Sequence, residues 1–150
     1  MNVDQKFMSE AIKEAQKAYS LGEIPIGAVI VYNNEIISRG YNRKENDKVA
    51  TKHAEIIAIN DACKKIGDWR LEGCTLYVTI EPCLMCCGAI LQSRIKKVVY
   101  GAKNNKFGYV ESVANVLSLP ENNHKVEVIS GILEIECKTI IQNFFKEKRN

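Results

Sequence analysis

The chain reads as an α/β fold, a sheet covered on both faces by helices, and three observations predict it. Short apolar strand-like runs alternate with helical patterns along the whole sequence, which implies layers of helix against a central sheet. One such run, Thr75 to Ile80, feeds directly into Glu81-Pro82-Cys83-Leu84-Met85-Cys86, so chemistry-bearing residues follow the end of a strand. That is where open α/β sheets hold their ligands. The 150 residues and the apolar fraction of 46% fit one domain spanning 1–150 with a single core.

Each element follows from local pattern. Val3 to Tyr19 reads as a helix, because Phe7, Ala11, Ala15 and Ala18 recur on one face. Gly27 to Tyr32 and Glu35 to Ser38 read as a hairpin turning at Asn33-Asn34, two residues that tolerate left-handed backbone. A second helix, entered near His53 after Thr51 with His53 and Glu55 in its first turn, carries Ala54, Ile57, Ala58 and Ala62. Pro82 suits the first position of a third helix, where its missing N–H costs nothing. Lys97 to Tyr100 and Val126 to Ile129 complete five strands, and a closing helix runs from about Leu133 to Lys146. No repeat or low-complexity tract interrupts this series.

The chemistry lies in His53-Ala54-Glu55 together with the segment 81–86. One imidazole and two thiolates, from His53, Cys83 and Cys86, suit zinc, one ion per chain. Three protein ligands leave the fourth tetrahedral position open, and Glu55 is then a carboxylate free for proton transfer. Cys83 and Cys86, three apart, share a face of a helix's opening turn, whose positive end favours thiolate. Cys87 is excluded, since it points about 100° away from its neighbour on a helix. The arrangement H-x-E…P-C-x-x-C matches an established signature of zinc nucleobase deaminases.

Composition narrows the setting. Six cysteines could form three disulfides in a secreted protein, but two are assigned to metal. The others (Cys63, Cys74, Cys87 and Cys137) lie in apolar-periodic segments without a framework spacing, as buried free thiols do. No run is apolar for the length of a membrane span and no secretory segment opens the chain, so reducing cytoplasm is expected. A formal charge of +3 is too small for a strongly basic nucleic-acid binder, so clustering matters more. Arg94-Ile95-Lys96-Lys97, Lys103, Lys106 and the terminal Lys146, Lys148 and Arg149 are candidate phosphate contacts.

Over nearly its whole length the chain resembles the bacterial tRNA adenosine deaminases of the cytidine-deaminase-like superfamily. The likeness runs through I-P-I-G-A-V-I-V (24–31), G-Y-N-R (40–43), H-A-E-I-I-A-I (53–59) and L-Y-V-T-I-E-P-C-L-M-C (76–86). It continues in G-A-I-L-Q-S-R-I (88–95), V-V-Y-G-A (98–102), N-H-K-V-E-V (123–128) and a last helix with Phe144-Phe145. The central motifs are shared with guanine, cytosine and deoxycytidylate deaminases. S-R-I before V-V-Y-G-A, and L-x-x-P-x-x-N-H (117–124), are more particular to the tRNA enzymes.

The resemblance implies a three-layer α/β/α sandwich on a five-stranded mixed sheet. It implies deamination of adenosine to inosine at the wobble position of a tRNA anticodon, with tRNA-Arg as substrate and a homodimer as the working form. Glu55 would carry protons to N1 and to the departing ammonia. Asn42 would hydrogen-bond the nucleoside, the backbone of Ala54 would meet the ring edge, and Ile24 and Ile80 would wall the base pocket. Asn104 and Phe145 would contact RNA. An aspartate is usual at position 104, and the segment Phe107-Gly108-Tyr109-Val110-Glu111 is more aromatic than the family pattern. Asn in place of an acid removes repulsion towards phosphate, and added rings can stack on bases.

Two other readings share parts of this evidence. A free guanine or cytosine deaminase would use the same scaffold with a small closed pocket. A non-catalytic, zinc-stabilised RNA-binding protein would have no use for Glu55. His124 offers a fourth ligand by type, yet it follows Pro120 in a loop with nothing to bring it to the metal.

Overall fold

The computed structural model describes residues 1–149. In chain order the elements are helix α1 (Val3–Ser20), strands β1 (Gly27–Tyr32) and β2 (Glu35–Tyr41), and short helix α2 (Lys44–Asp47). There follow α3 (Ala54–Ile66), β3 (Thr75–Ile80), α4 (Leu84–Gln92) and β4 (Lys97–Ala102). A single 3-10 turn (Val116–Ser118), β5 (Glu127–Ile129) and α5 (Glu134–Lys148) complete the chain.

The five strands form one sheet in the order β2-β1-β3-β4-β5. β1 pairs antiparallel with both β2 and β3, while β3, β4 and β5 run parallel, so the sheet is mixed. Two positive φ values, 50° at Asn33 and 62° at Asn34, make the β1–β2 turn. One face packs against α3 and α4 through Ala54, Ala58, Ala62, Leu76, Val78, Ile90 and Tyr100. The other packs against α1 and α5 through Phe7, Met8, Ala11, Val29, Tyr77, Val99 and Cys137. This is the expected sandwich of helix, sheet and helix.

Helix α1 starts with a reciprocal cap. The Asn2 side chain accepts the Gln5 N–H at 2.8 Å, and the Gln5 side chain accepts the Asn2 N–H at 3.1 Å. Two helix starts differ from the expected ones. Pro82 lies outside α4, one residue before the cap, and Cys83 itself is the N-cap with extended backbone (φ −75°, ψ 175°). His53 likewise caps α3 (φ −85°, ψ 155°) instead of lying within its first turn, and Glu55 is the second helical residue. Periodicity marks where apolar residues recur but not where the backbone turns from extended to helical. Helix α2 and the 3-10 turn lack apolar periodicity, so no sequence pattern marks them.

Strand direction brings the site together. β2, β3 and β4 all end at one edge of the sheet, where β1 begins; Gly27 pairs with Tyr41, Ala28 with Val78, and Ile80 with Ala102. The segments leaving that edge are therefore 24–26, 42–53, 81–83 and 103–112. Gly40 lets α3 lie close on β2: a Cβ there would stand 2.3 Å from the Ala54 carbonyl oxygen and 2.9 Å from the Ala58 nitrogen.

Candidate metal centre and active site

Two helices, α3 and α4, begin side by side at this edge and present their caps to each other. A capping residue normally spends its side chain on its own helix. Neither His53 nor Cys83 does so; each has extended backbone and no side-chain cap bond. The first free N–H of α3 is instead taken by Asn42, at the end of β2, whose side-chain oxygen accepts from Ala54 N at 2.8 Å. His53 is thereby left free to bind.

The freed groups converge. The Nδ1 atom of His53 lies 3.6 Å from Cys83 Sγ and 3.7 Å from Cys86 Sγ. All three ligand atoms fall within 4.8 Å of one another, and among the described residues this is the one such cluster found. A tetrahedral zinc with ordinary Zn–N and Zn–S bonds would separate nitrogen from sulfur by about 3.6 Å. The donor set and its spacing thus both fit zinc. His124 is elsewhere; its Nε2 lies 2.7 Å from the carbonyl of Ile95. Cys87 is buried with its thiol towards the Pro82 carbonyl, 3.8 Å away.

Protonation follows from crowding. A hydrogen bond from the Cys86 thiol, with further help from His53, pulls the Cys83 thiol down to about 4. Cys86 is pushed up, because it donates that bond and is buried beside Glu55. His53 is raised, chiefly by its contact with Cys83. Two sulfurs and an imidazole therefore compete for protons in a space that one divalent cation would satisfy better. Glu55, 4% exposed, is pushed up to about 7, mainly by burial and further by the Cys83 charge. Such a carboxyl can both accept and release a proton near neutral pH.

The remaining sequence-derived residues take different places in the fold. Asn42 is 8% exposed, and its oxygen is committed to Ala54. Ile24 is 43% exposed on the segment before β1, whereas Ile80 is nearly sealed in the cluster with α1 and α5. Of the two terminal phenylalanines, Phe144 is buried against Tyr19 and Phe145 is exposed. The Asn104 side-chain oxygen accepts the N–H of Phe107 at 3.1 Å and of Lys106 at 3.3 Å, so it shapes its own loop. Phe107 stands out on that loop with the Lys106 amine 5.4 Å from its ring centre.

Two buried acids have roles that sequence reasoning missed. Glu23 accepts from Glu45 N, Asn46 N and Asn46 Nδ2, and so ties α2 to the segment carrying Ile24. Glu81 does the same for the 104–112 loop. A carboxylate amid apolar residues beside a strand end is the sequence signal that could have found both.

This fold and donor cluster are of the deaminase type, and comparison with known proteins agrees. The MafB19-like deaminase family matches residues 2–149. The chain is 51% identical to a tRNA-specific adenosine deaminase of Bacillus subtilis over 149 residues, 99% of this chain and 92% of that one. It is 46% identical to a tRNA-specific adenosine deaminase of Aquifex aeolicus, over 96% of this chain and 95% of that one. A solved structure from work on A-to-I editing by tRNA:A34 deaminases superimposes with a TM-score of 0.87 at 44% identity. That match covers 90% of this chain and 98% of the other. The chain belongs to the MafB19-like deaminase family.

Proposed function

We propose that this chain is a zinc-dependent hydrolase that converts adenosine to inosine at the wobble position of a tRNA anticodon. One observation carries the chemistry: a buried carboxyl, Glu55, beside a His53–Cys83–Cys86 cluster of zinc dimensions. The substrate is supported by identity of 44–51% to proteins described as tRNA deaminases.

When bound, zinc supplies the positive charge that makes a water molecule acidic enough to attack near neutral pH. Glu55 accepts the proton that this water releases and delivers it to N1 of the adenine ring, which draws electrons away from C6. Water oxygen bonds to C6, a second proton passes through Glu55 to the exocyclic amine, and ammonia leaves. Asn42 keeps its amide nitrogen for the nucleoside, since its oxygen holds Ala54. The backbone of Ala54, held there by Asn42, lies at the ring edge. Ile24 and Ile80 wall the base, while Asn104 and Phe145 meet flanking nucleotides. A base must leave its stack to reach such a site, and an anticodon loop presents bases already partly splayed.

We read residues 1–150 as one domain, with tRNA-Arg as substrate and a homodimer as the working form. Supporting the dimer, Leu84, Gly88 and Leu91 fall on one side of α4, with Leu84 53% exposed and open space over Gly88. A two-fold contact between copies would cover that strip. No helix among the described residues is long and apolar enough to cross a membrane, and a tRNA substrate fits the cytoplasm.

The test is to incubate the purified protein separately with tRNA-Arg, adenosine, cytidine and guanine. Inosine at the wobble position of the tRNA is expected. Turnover of free guanine or cytidine without action on tRNA would favour the free-base reading. RNA binding without any deamination would favour the non-catalytic one. Light scattering at micromolar concentration should give the mass of two chains, and a monomeric mass would remove the dimer.

A further inference from the structure

Glu81 is 2% exposed and lies two residues before Cys83, yet its carboxylate turns away from the metal cluster and into the loop after β4. One oxygen accepts from Asn104 N at 3.1 Å and from the Ser112 hydroxyl. The other accepts from Val110 N at 3.1 Å, Glu111 N at 2.7 Å and Ser112 N at 2.9 Å. Among the described residues no Lys, Arg or His pairs with it. The loop has wrapped an anion with its own backbone amides, as nests of N–H groups do.

Two further contacts fasten the same loop to the same turn. Tyr109 N donates to the Pro82 carbonyl at 3.0 Å, and Glu81 N donates to the Ala102 carbonyl at 2.8 Å. Gly108 makes the approach possible; a Cβ there would lie 2.4 Å from the Glu81 carboxyl carbon and 2.6 Å from the Asn104 carbonyl oxygen. Facing outward on this loop are Lys103, Asn105, Lys106 and Phe107, the last 58% exposed. An aromatic ring and two ammonium groups suit stacking on a base and pairing with phosphate.

A buried carboxylate is costly unless its charge is met by hydrogen bonds. Packing alone would be served better by an apolar side chain, so the carboxylate calls for another explanation. What the charge achieves is to fix the course of the 104–112 loop relative to the turn that carries Cys83. We propose that Glu81 is a positioning residue for substrate: its carboxylate holds this loop so that Lys106 and Phe107 meet the nucleotides flanking the target base. This rests on the reading of the substrate as tRNA. Glu81 takes no part in proton transfer and does not ligate the metal.

The experiment is steady-state kinetics on an anticodon stem-loop RNA with zinc content measured alongside. Glu81→Gln keeps the size but sets an NH₂ group against backbone donors. Hydrogen bonds to charged groups are strong enough that kcat/KM should fall about ten- to hundredfold. The loss should appear in KM, with kcat within about threefold of wild type and zinc retained, the pattern of lost binding and not of lost chemistry. Glu81→Asp, which keeps the charge but shortens its reach, should recover part of the KM. Ser112→Ala removes one hydroxyl donor with little risk to folding, and should raise KM by about three- to tenfold; if Glu81→Gln does not fold, this variant decides. Loss of zinc, or a fall in kcat at unchanged KM, would show that Glu81 serves the metal turn and overturn the proposal. Wild-type KM in Ser112→Ala and both Glu81 variants would overturn it too, while leaving the function intact. A wild-type protein inactive on the stem-loop would overturn the substrate reading and this proposal together.

Discussion

Asn42 caps a helix that begins twelve residues later: its side-chain oxygen accepts the N–H of Ala54 at 2.8 Å. The helix-capping task is thereby moved from His53 to a residue at the end of a strand. The imidazole is released towards Cys83 and Cys86, and Glu55 is held in the first turn just behind it. Substitutions around this junction should separate metal binding, proton transfer and substrate contact.

Cys83→Ala and Cys86→Ala should abolish binding of zinc, while Cys87→Ala should keep about one zinc per chain, because a three-ligand site cannot spare a thiolate. Metal analysis of the purified variants checks this. Full occupancy in Cys83→Ala would sink the ligand assignment.

Glu55→Gln is nearly isosteric and should still bind zinc and RNA. It cannot carry protons, so single-turnover deamination should slow by at least ~10²–10⁴-fold. A rate near wild type would mean that the proton takes another route.

Gly40→Ala should strain the α3–β2 contact, since the new methyl would stand 2.3 Å from a backbone carbonyl oxygen that cannot swing aside. Overpacking of this kind costs about 1–3 kcal/mol, and zinc affinity should fall with it as His53 shifts. Melting with and without added zinc measures both effects. An unchanged melting temperature would show that α3 sits more loosely than these distances require.

Asn104→Asp should preserve the turn, because a carboxylate accepts the Lys106 and Phe107 amides as well as the amide oxygen does. The change is then almost purely one of charge. Repulsion of phosphate should weaken binding of the stem-loop and reduce any side activity on its DNA counterpart. Assays on the two substrates test this, and an unchanged affinity with an unchanged RNA-to-DNA ratio would mean that position 104 does not meet nucleic acid.

Acid stability should report Glu23. Burial alone would raise this carboxyl, but bonds from Asn46 and Glu45 outweigh it and hold it below its ordinary 4.5. Because the folded form titrates below the unfolded one, the unfolded chain binds more protons between those two values. The stabilisation is therefore complete above 4.5 and lost as pH falls through the lowered value. Glu23→Gln should melt earlier at neutral pH and show a flatter acid limb in melting temperature against pH. Parallel acid limbs in the two proteins would assign the effect to other groups.

The sequence by itself determined the sheet-and-helix architecture, the hairpin at Asn33-Asn34, and the set His53, Cys83 and Cys86. These depend on period, turn chemistry and donor type, which are local properties of a chain. Which terminal phenylalanine is buried was decided by α5 docking on α1, which covers Phe144 and leaves Phe145 out. Only the tertiary structure decided that Asn42 spends its oxygen on Ala54, that His53 and Cys83 stand as caps and not inside their helices, and that Glu81 holds a loop 23 to 31 residues further on. Those bonds join segments remote in sequence. They exist because β2, β3 and β4 end at the same edge of the sheet, a fact of strand order that no local pattern encodes.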